Sequence, residues 1–155
     1  MPTLYILCGP PGAGKTYWAN AFITGNPEVR YVSRDEIRFA MLQDGENYFS
    51  HEKKVFKKFG GTIAQTLVDG FDVIADATHL NARSRKKLTN RIDYFIKDYE
   101  IVYVVFLTSY EKCCENNSKR QNLQYVKPTA IHDMMNLFVK PSLEEDSRAK
   151  EIIEV

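Results

Sequence analysis

Long apolar runs are missing from this sequence, and so is any surplus of charge. No stretch approaches the roughly 18 consecutive apolar residues that a bilayer-spanning helix needs, so no membrane partner is expected. Lys and Arg number 21 against 20 Asp and Glu, a net charge of +1. That balance leaves no overall field to draw the molecule onto a nucleic acid or an anionic surface. Any nucleic-acid contact must then be local, as in an enzyme that grips one strand end. Cysteine is scarce too: Cys8, Cys113 and Cys114 are the only three. Cys8 lies in an apolar run and the adjacent pair is poorly placed to bridge itself, so there is no disulfide framework. Reduced thiols in a cytoplasmic setting are the simpler expectation. Met1 runs straight into a strand-like segment and a glycine-rich loop, so a basic leader with a cleavage site is not expected. No Cys/His zinc spacing, Ser-His-Asp constellation, internal repeat, low-complexity tract or linker is found. At 155 residues the chain has room for one α/β domain, 1–155, and not for two.

What is present is an alternation of strand and helix signals. The continuous apolar run Thr3 to Cys8 reads as a central strand buried on both faces. A glycine-rich loop from Gly9 to Gly14 follows, then a helix from Lys15 to about Phe22, stopped by Gly25-Asn26-Pro27. Trp18 and Phe22, four apart on that helix, are expected in the core. Val29 to Val32 form a second strand, and Ser33 with Glu36 fits a capping box that opens a helix to about Leu42. His51 to Val68 predict a long helix with Val55, Phe56, Phe59, Ile63 and Leu67 at helical spacing, weakened in its middle by Gly60-Gly61. Asp72 to Asp76 and Ile101 to Leu107 are further strands, separated by a basic helix from Ala82 to about Ile96. Ser109 can cap a helix to about Asn117, Pro128 starts another to Phe138, and Glu151 to Val155 can add a last strand. Strands alternating with helices predict a mostly parallel sheet with helices on both faces.

Residues 9–16, Gly9-Pro10-Pro11-Gly12-Ala13-Gly14-Lys15-Thr16, match G-x-x-x-x-G-K-[ST] without a gap. Glycines let the backbone curl with its N–H groups inward, making a positive nest at a helix N-terminus. Lys15 can reach the β- and γ-phosphates of ATP, and the Thr16 hydroxyl can ligate Mg²⁺. A dinucleotide-binding loop is excluded, because the third glycine of G-x-G-x-x-G would fall on Tyr17. After the second strand, Asp35 and Arg38 share a helix face, and strand ends in open parallel sheets face the ligand crevice. A carboxylate there can take the proton of an attacking hydroxyl, and an Arg beside it can hold an anionic group of the acceptor. First-turn acids also occur simply to complement the helix dipole.

The motifs in this order resemble a known family. Val32-Ser-Arg-Asp35-Glu-Ile-Arg38, after the phosphate loop and Tyr17-Trp-Ala, is similar to the kinase domain of bacteriophage polynucleotide 5′-kinases. Their wider relatives are zeta-toxin-like small P-loop kinases. Asp76-Ala-Thr-His-Leu-Asn81, Asn117-Ser-Lys-Arg120 and Pro128 to Pro141 continue the resemblance over nearly the whole chain. It implies a P-loop kinase fold with a short lid at about 116–127. It also implies transfer of the γ-phosphate of ATP, with Mg²⁺, to the 5′-hydroxyl end of DNA or RNA, in a nucleic-acid repair setting. Asp35 would be the general base, Arg38 would bind the phosphate flanking the acceptor nucleotide, and Lys15 with Arg120 would steady the transferred phosphoryl group. The resemblance departs at Asn116, where the family carries a lid arginine, with Lys119 as a partial substitute. No Asp-x-Asp-x-Thr motif is present, so a phosphatase domain and 3′-phosphatase activity are not expected.

Other residues keep two readings each. Asp76 can hold Mg²⁺, directly or through water, or be a plain helix N-terminal acid. His79 can contact acceptor or nucleotide, or be a polar loop residue. Arg83, Arg85, Lys86, Lys87 and Arg91 can track a nucleic-acid backbone or form a solvated face, and Lys53, Lys54, Lys57 and Lys58 carry a weaker version of the same choice. A zeta-toxin-like kinase of a nucleotide-sugar, nucleoside or antibiotic would use the same Asp35. A nucleotide-binding switch whose turnover is incidental is the reading from another class.

Overall fold

Five strands and six α-helices alternate along residues 1–155 of the computed structural model. In chain order they are β1 (Thr3–Cys8), α1 (Lys15–Gly25), β2 (Arg30–Ser33), α2 (Arg34–Met41), α3 (Glu52–Val68), β3 (Val73–Asp76), α4 (Ala82–Asp93), β4 (Glu100–Val105), α5 (Tyr110–Ser118), α6 (Pro128–Leu137) and β5 (Ala149–Glu154). All strands pair in parallel, in the order β2-β3-β1-β4-β5. Each element predicted from the sequence is present. The largest differences are at the ends: α1 runs to Gly25 rather than about Phe22, α4 stops at Asp93 rather than about Ile96, β4 stops at Val105 rather than Leu107, and β5 starts at Ala149 rather than Glu151.

Both faces of the sheet are covered, which is why the strands read as unbroken apolar runs. Leu4, Ile6 and Cys8 of β1 join Ile101, Tyr103 and Val105 of β4 in one core layer with Phe59, Ile63, Leu67, Leu88 and Ile92 of α3 and α4. The alternate residues Leu7, Ile74, Val102 and Val104 form the second layer, against Ala19, Trp18 and Phe22 of α1, Cys113 of α5 and Ile131 of α6. The aromatic pair on α1 is stacked, with ring centroids 4.9 Å apart.

The glycines in α3 do not interrupt it. A Cβ on Gly60 would come within 2.4 Å of Arg91 Cγ, so the small residue lets α4 lay an arginine across α3. At the start of α2 only half of the capping box forms: Ser33 Oγ accepts from the Glu36 N–H at 3.2 Å, and the Glu36 side chain makes no return bond. The reciprocal box is found on α4, between Asn81 and Ser84.

Candidate active site

The connection leaving β1 goes toward β2, and that leaving β3 goes across to β4, so the carboxyl ends of these two neighbours part and open a crevice. The phosphate loop fills its base. Left-handed backbone at Gly12 (φ +81) and Gly14 (φ +97) curls the loop. A Cβ on Gly12 would stand 2.4 Å from the Cys113 carbonyl oxygen, so α5 packs against the loop only because that residue has no side chain.

The loop's carbonyls are occupied from outside. Lys15 Nζ donates to Gly9 O (2.9 Å) and Pro10 O (2.8 Å), Asn116 Nδ2 to Gly12 O (2.8 Å), and Thr108 Oγ1 to Ala13 O (2.7 Å). The Gly9 N–H donates to Thr78 O at 2.9 Å, anchoring the loop to the β3–α4 connection. By contrast, the N–H groups of Gly12, Gly14, Lys15, Thr16 and Tyr17 donate to no protein acceptor. Five free donors at the N-terminus of α1, with one ammonium beside them, fit a polyphosphate. Burial lowers the Lys15 pKa against the pull of Asp76, and the Arg120 guanidinium lowers it further; Asp35 also pulls it up. An anion in the cradle would favour the charged form.

Asp76 ends β3 beside the loop, nearly buried. Its Oδ2 accepts from Thr16 Oγ1 at 3.3 Å and from the Tyr31 hydroxyl at 2.5 Å. Burial, then the neighbouring Asp76 charge, pushes the Tyr31 pKa up, so the phenol stays a donor. A hydroxyl and a carboxylate converging beside a phosphate cradle suit Mg²⁺, which takes one or two protein oxygens and completes its shell with phosphate and water.

The register Ser33↔Asp76 brings the end of β2 to the same edge, and α2 starts there. Asp35 and Arg38 therefore line the cleft, of about 1100 Å³, that also contains Lys15, Thr16, Asp76 and Arg120. Asp35 is half exposed and accepts from the Tyr48 hydroxyl at 2.6 Å and from Arg38 Nη1. Arg38 is engaged further: Nε and Nη2 hold Glu52 at 3.2 and 2.7 Å, and Nη1 reaches the Tyr48 hydroxyl at 2.6 Å. Its guanidinium lies 4.1 Å from the Tyr48 ring centre. In this arrangement Arg38 is a fixed buttress of Asp35, with only 6% of its side chain exposed.

Lys15, Thr16, Asp35, Arg38, Asp76 and Arg120 come together. Lys119 does not: it caps α5 at the surface, while Lys127 lines the cleft. The loop histidine is a core residue. His79 is 5% exposed and stacks on Phe59, and its Nδ1–H donates to Leu7 O at 2.7 Å. Arg85 leaves the basic cluster for the interior, where it pairs with Glu145 at 2.7 Å and donates to the carbonyls of His79 and Val139. Tyr48, Glu52, Thr108 and Asn116 complete the site, and no spacing rule pointed to the first three.

A parallel sheet in this order, with an anion cradle between its first strand and helix, defines a P-loop kinase fold, the fold of nucleotide-dependent phosphotransferases. The chain belongs to the AAA domain family, which matches residues 4–141. It is 33% identical over 109 residues to guanylate kinase of Pseudomonas fluorescens (strain Pf0-1), covering 56% of this chain and 52% of that protein. Among solved structures it is similar to a chain of the Pnkp1/Rnl/Hen1 RNA repair complex, 25% identical with a TM-score of 0.74, covering 88% of this chain and 43% of the other. A fungal RNA kinase shares the fold at 14% identity and a TM-score of 0.68, covering 99% of this chain and 38% of the other. The chain thus spans about half the length of the curated relative it matches.

Proposed function

We propose that this P-loop kinase is a polynucleotide 5′-hydroxyl kinase that transfers the γ-phosphate of ATP to the 5′-OH end of DNA or RNA. The observation that carries this reading is Asp35, a half-exposed carboxylate oriented by Tyr48 and Arg38 on the wall of the cleft whose base is the phosphate loop. The similarity to a chain of an RNA repair complex supports the choice of acceptor.

Each residue then has a role. The free N–H groups from Gly12 to Tyr17 and the Lys15 ammonium hold the phosphates of ATP, with Lys15 leaving the Gly9 and Pro10 carbonyls to do so. Asp35 accepts the proton of the acceptor hydroxyl as its oxygen attacks the γ-phosphorus, and ADP leaves with the electrons of the broken P–O bond. Arg120, in the segment proposed as a lid at about 116–127, faces the charge that spreads over the transferring group. Thr16 and Asp76 would hold Mg²⁺, which supplies charge neutralisation between the phosphates when bound. Arg38 stays beside Asp35 as its brace, and the one Nη2 N–H that Glu52 leaves free is its remaining donor for the phosphate next to the acceptor nucleotide. Residues 1–155 form the single kinase domain in this reading.

The guanylate kinase relative favours a second reading, in which the acceptor is a small nucleotide-like alcohol or phosphate rather than a strand end. The two separate in one experiment. γ-Labelled ATP is offered with Mg²⁺ together with 5′-hydroxyl DNA, 5′-hydroxyl RNA or mononucleotides. Label on the oligonucleotide 5′ end is expected, and the Asp35→Asn variant should lose 10²- to 10⁴-fold in rate, the usual reach of a general base, while still binding ATP. Label on mononucleotides alone would replace the first reading by the second.

A further inference from the structure

Charge is far from evenly spread in this nearly neutral chain. The stretches 53–68 and 77–92 hold nine of its 21 Lys and Arg and none of its 20 Asp and Glu. That leaves 12 cations against 20 anions everywhere else. The two stretches contain most of α3 and α4, which pack side by side on one face of the sheet. Arg85 turns inward, and Arg91 lies half-buried across α3. Lys53, Lys54, Lys57, Lys58, Arg83, Lys86 and Lys87 are exposed, and none of them pairs with a carboxylate. Lysines elsewhere do find partners, as Lys112 with Glu115, Lys140 with Glu154 and Lys150 with Glu100.

The spacing works against helix stability. Lys53 and Lys57, Lys54 and Lys58, and Arg83 and Lys87 are like charges four apart on one helix, which repel. The ridge is also joined to the cleft. Arg34 lines the cleft and lies 5.5 Å from the Phe56 ring centre, and Lys87 Nζ approaches the same ring to 4.6 Å. α3 itself begins at Glu52 in the cleft wall and runs outward for 17 residues, about 25 Å.

We propose that the exposed α3–α4 ridge binds the sugar-phosphate backbone of the acceptor strand as it leaves the cleft past Arg34, Phe56 and Lys87. This deepens the polynucleotide reading and rests on it for the identity of the strand. The ridge reads no sequence, because lysines placed as point charges contact phosphates rather than base edges. Acceptors long enough to cover it gain affinity over dinucleotides, and that gain is sensitive to salt.

The test uses the full chain and a fluorescein-labelled, 5′-phosphorylated single strand of about 16 nucleotides, within the span that single-strand-binding surfaces cover. Anisotropy titrations over a KCl series compare wild type with the triple variant Lys53→Gln, Lys57→Gln, Lys87→Gln. A control triple, Lys112→Gln, Lys140→Gln, Lys150→Gln, removes the same charge from other surfaces. Losing three phosphate contacts should flatten the slope of log K against log salt by about 2 and weaken binding about tenfold or more in low salt. The control should stay within about twofold of wild type. Equal losses in the two triples, or none in the ridge triple, would overturn the proposal. Ridge-dependent binding without labelling of any 5′-hydroxyl end would leave the ridge standing and remove the kinase reading. Labelling of the long acceptor with a KM that the ridge triple does not change would do the reverse.

Discussion

The phenol of Tyr48 donates to Asp35 Oδ1 across 2.6 Å, so a residue of the α2–α3 loop holds the carboxylate proposed as the base. The same hydroxyl accepts from Arg38, and burial, then the bond to Asp35, pushes its pKa up, keeping it a donor at working pH. Tyr48→Phe should therefore lower kcat about three- to tenfold, the worth of one positioning hydrogen bond, with KM for ATP unchanged. Steady-state kinetics with ATP and acceptor varied separately checks this. A rise in KM for ATP with kcat intact would contradict the assignment of Tyr48 as a positioning residue.

Gly12 is required twice over. Its φ of +81 disfavours any side chain, and a Cβ would meet the Cys113 carbonyl at 2.4 Å. Gly12→Ala is expected to lose at least about 1–2 kcal/mol of stability from the left-handed backbone alone, and ATP affinity should fall at least about tenfold as the cradle is forced off α5. Thermal melts with and without ATP separate the two losses.

Asn116 does more than replace a cation. It donates to Gly12 O at 2.8 Å and ties α5 to the phosphate loop. In Asn116→Ala the loss of one such bond, about 0.5–1.5 kcal/mol, should weaken nucleotide binding about two- to tenfold. Nucleotide titration by calorimetry measures it, and an unchanged Kd would mean that the tie does not shape the cradle.

His79 makes folding sensitive to acid. Burial pushes its pKa down from 6.5 to about 4, although the Leu7 carbonyl favours the proton on Nδ1. The ring is neutral in the folded protein, whereas the unfolded chain takes up a proton as the pH drops below about 6.5. Stability from this residue is thus complete above pH 6.5 and is lost progressively down to about pH 4, in total on the order of 3 kcal/mol. His79→Asn, a residue that tolerates the local φ of 42, should flatten the decline in Tm over that window.

The legible parts of this protein were those encoded by neighbours in the chain. The loop from Gly9 to Thr16 announces its own shape, because glycine positions, the lysine and the hydroxyl are set by local geometry. The runs Thr3 to Cys8 and Ile101 to Leu107 show their two-sided burial directly, since both faces of a covered strand are mostly apolar. The Ser33 cap likewise follows from one short spacing. What stayed hidden involved partners far away in sequence. Arg85 looked like one more cation on a basic helix until Glu145, 60 positions on, and the carbonyls of His79 and Val139 were found to satisfy it. Thr108 and Asn116 reach the phosphate loop from 95 and 104 residues away.

Amino-acid order alone thus determined an α/β sandwich with a polyphosphate cradle after its first strand, because hydrophobic period and glycine freedom act over a few residues. Folding in three dimensions decided which charges are spent inside and which remain for a ligand. It turned Arg38 into the brace of Asp35, buried His79 and Arg85, and gathered the unpaired lysines of α3 and α4 into one ridge. A charge's fate depends on what lies within a few ångströms of it, and only the packed chain sets that distance.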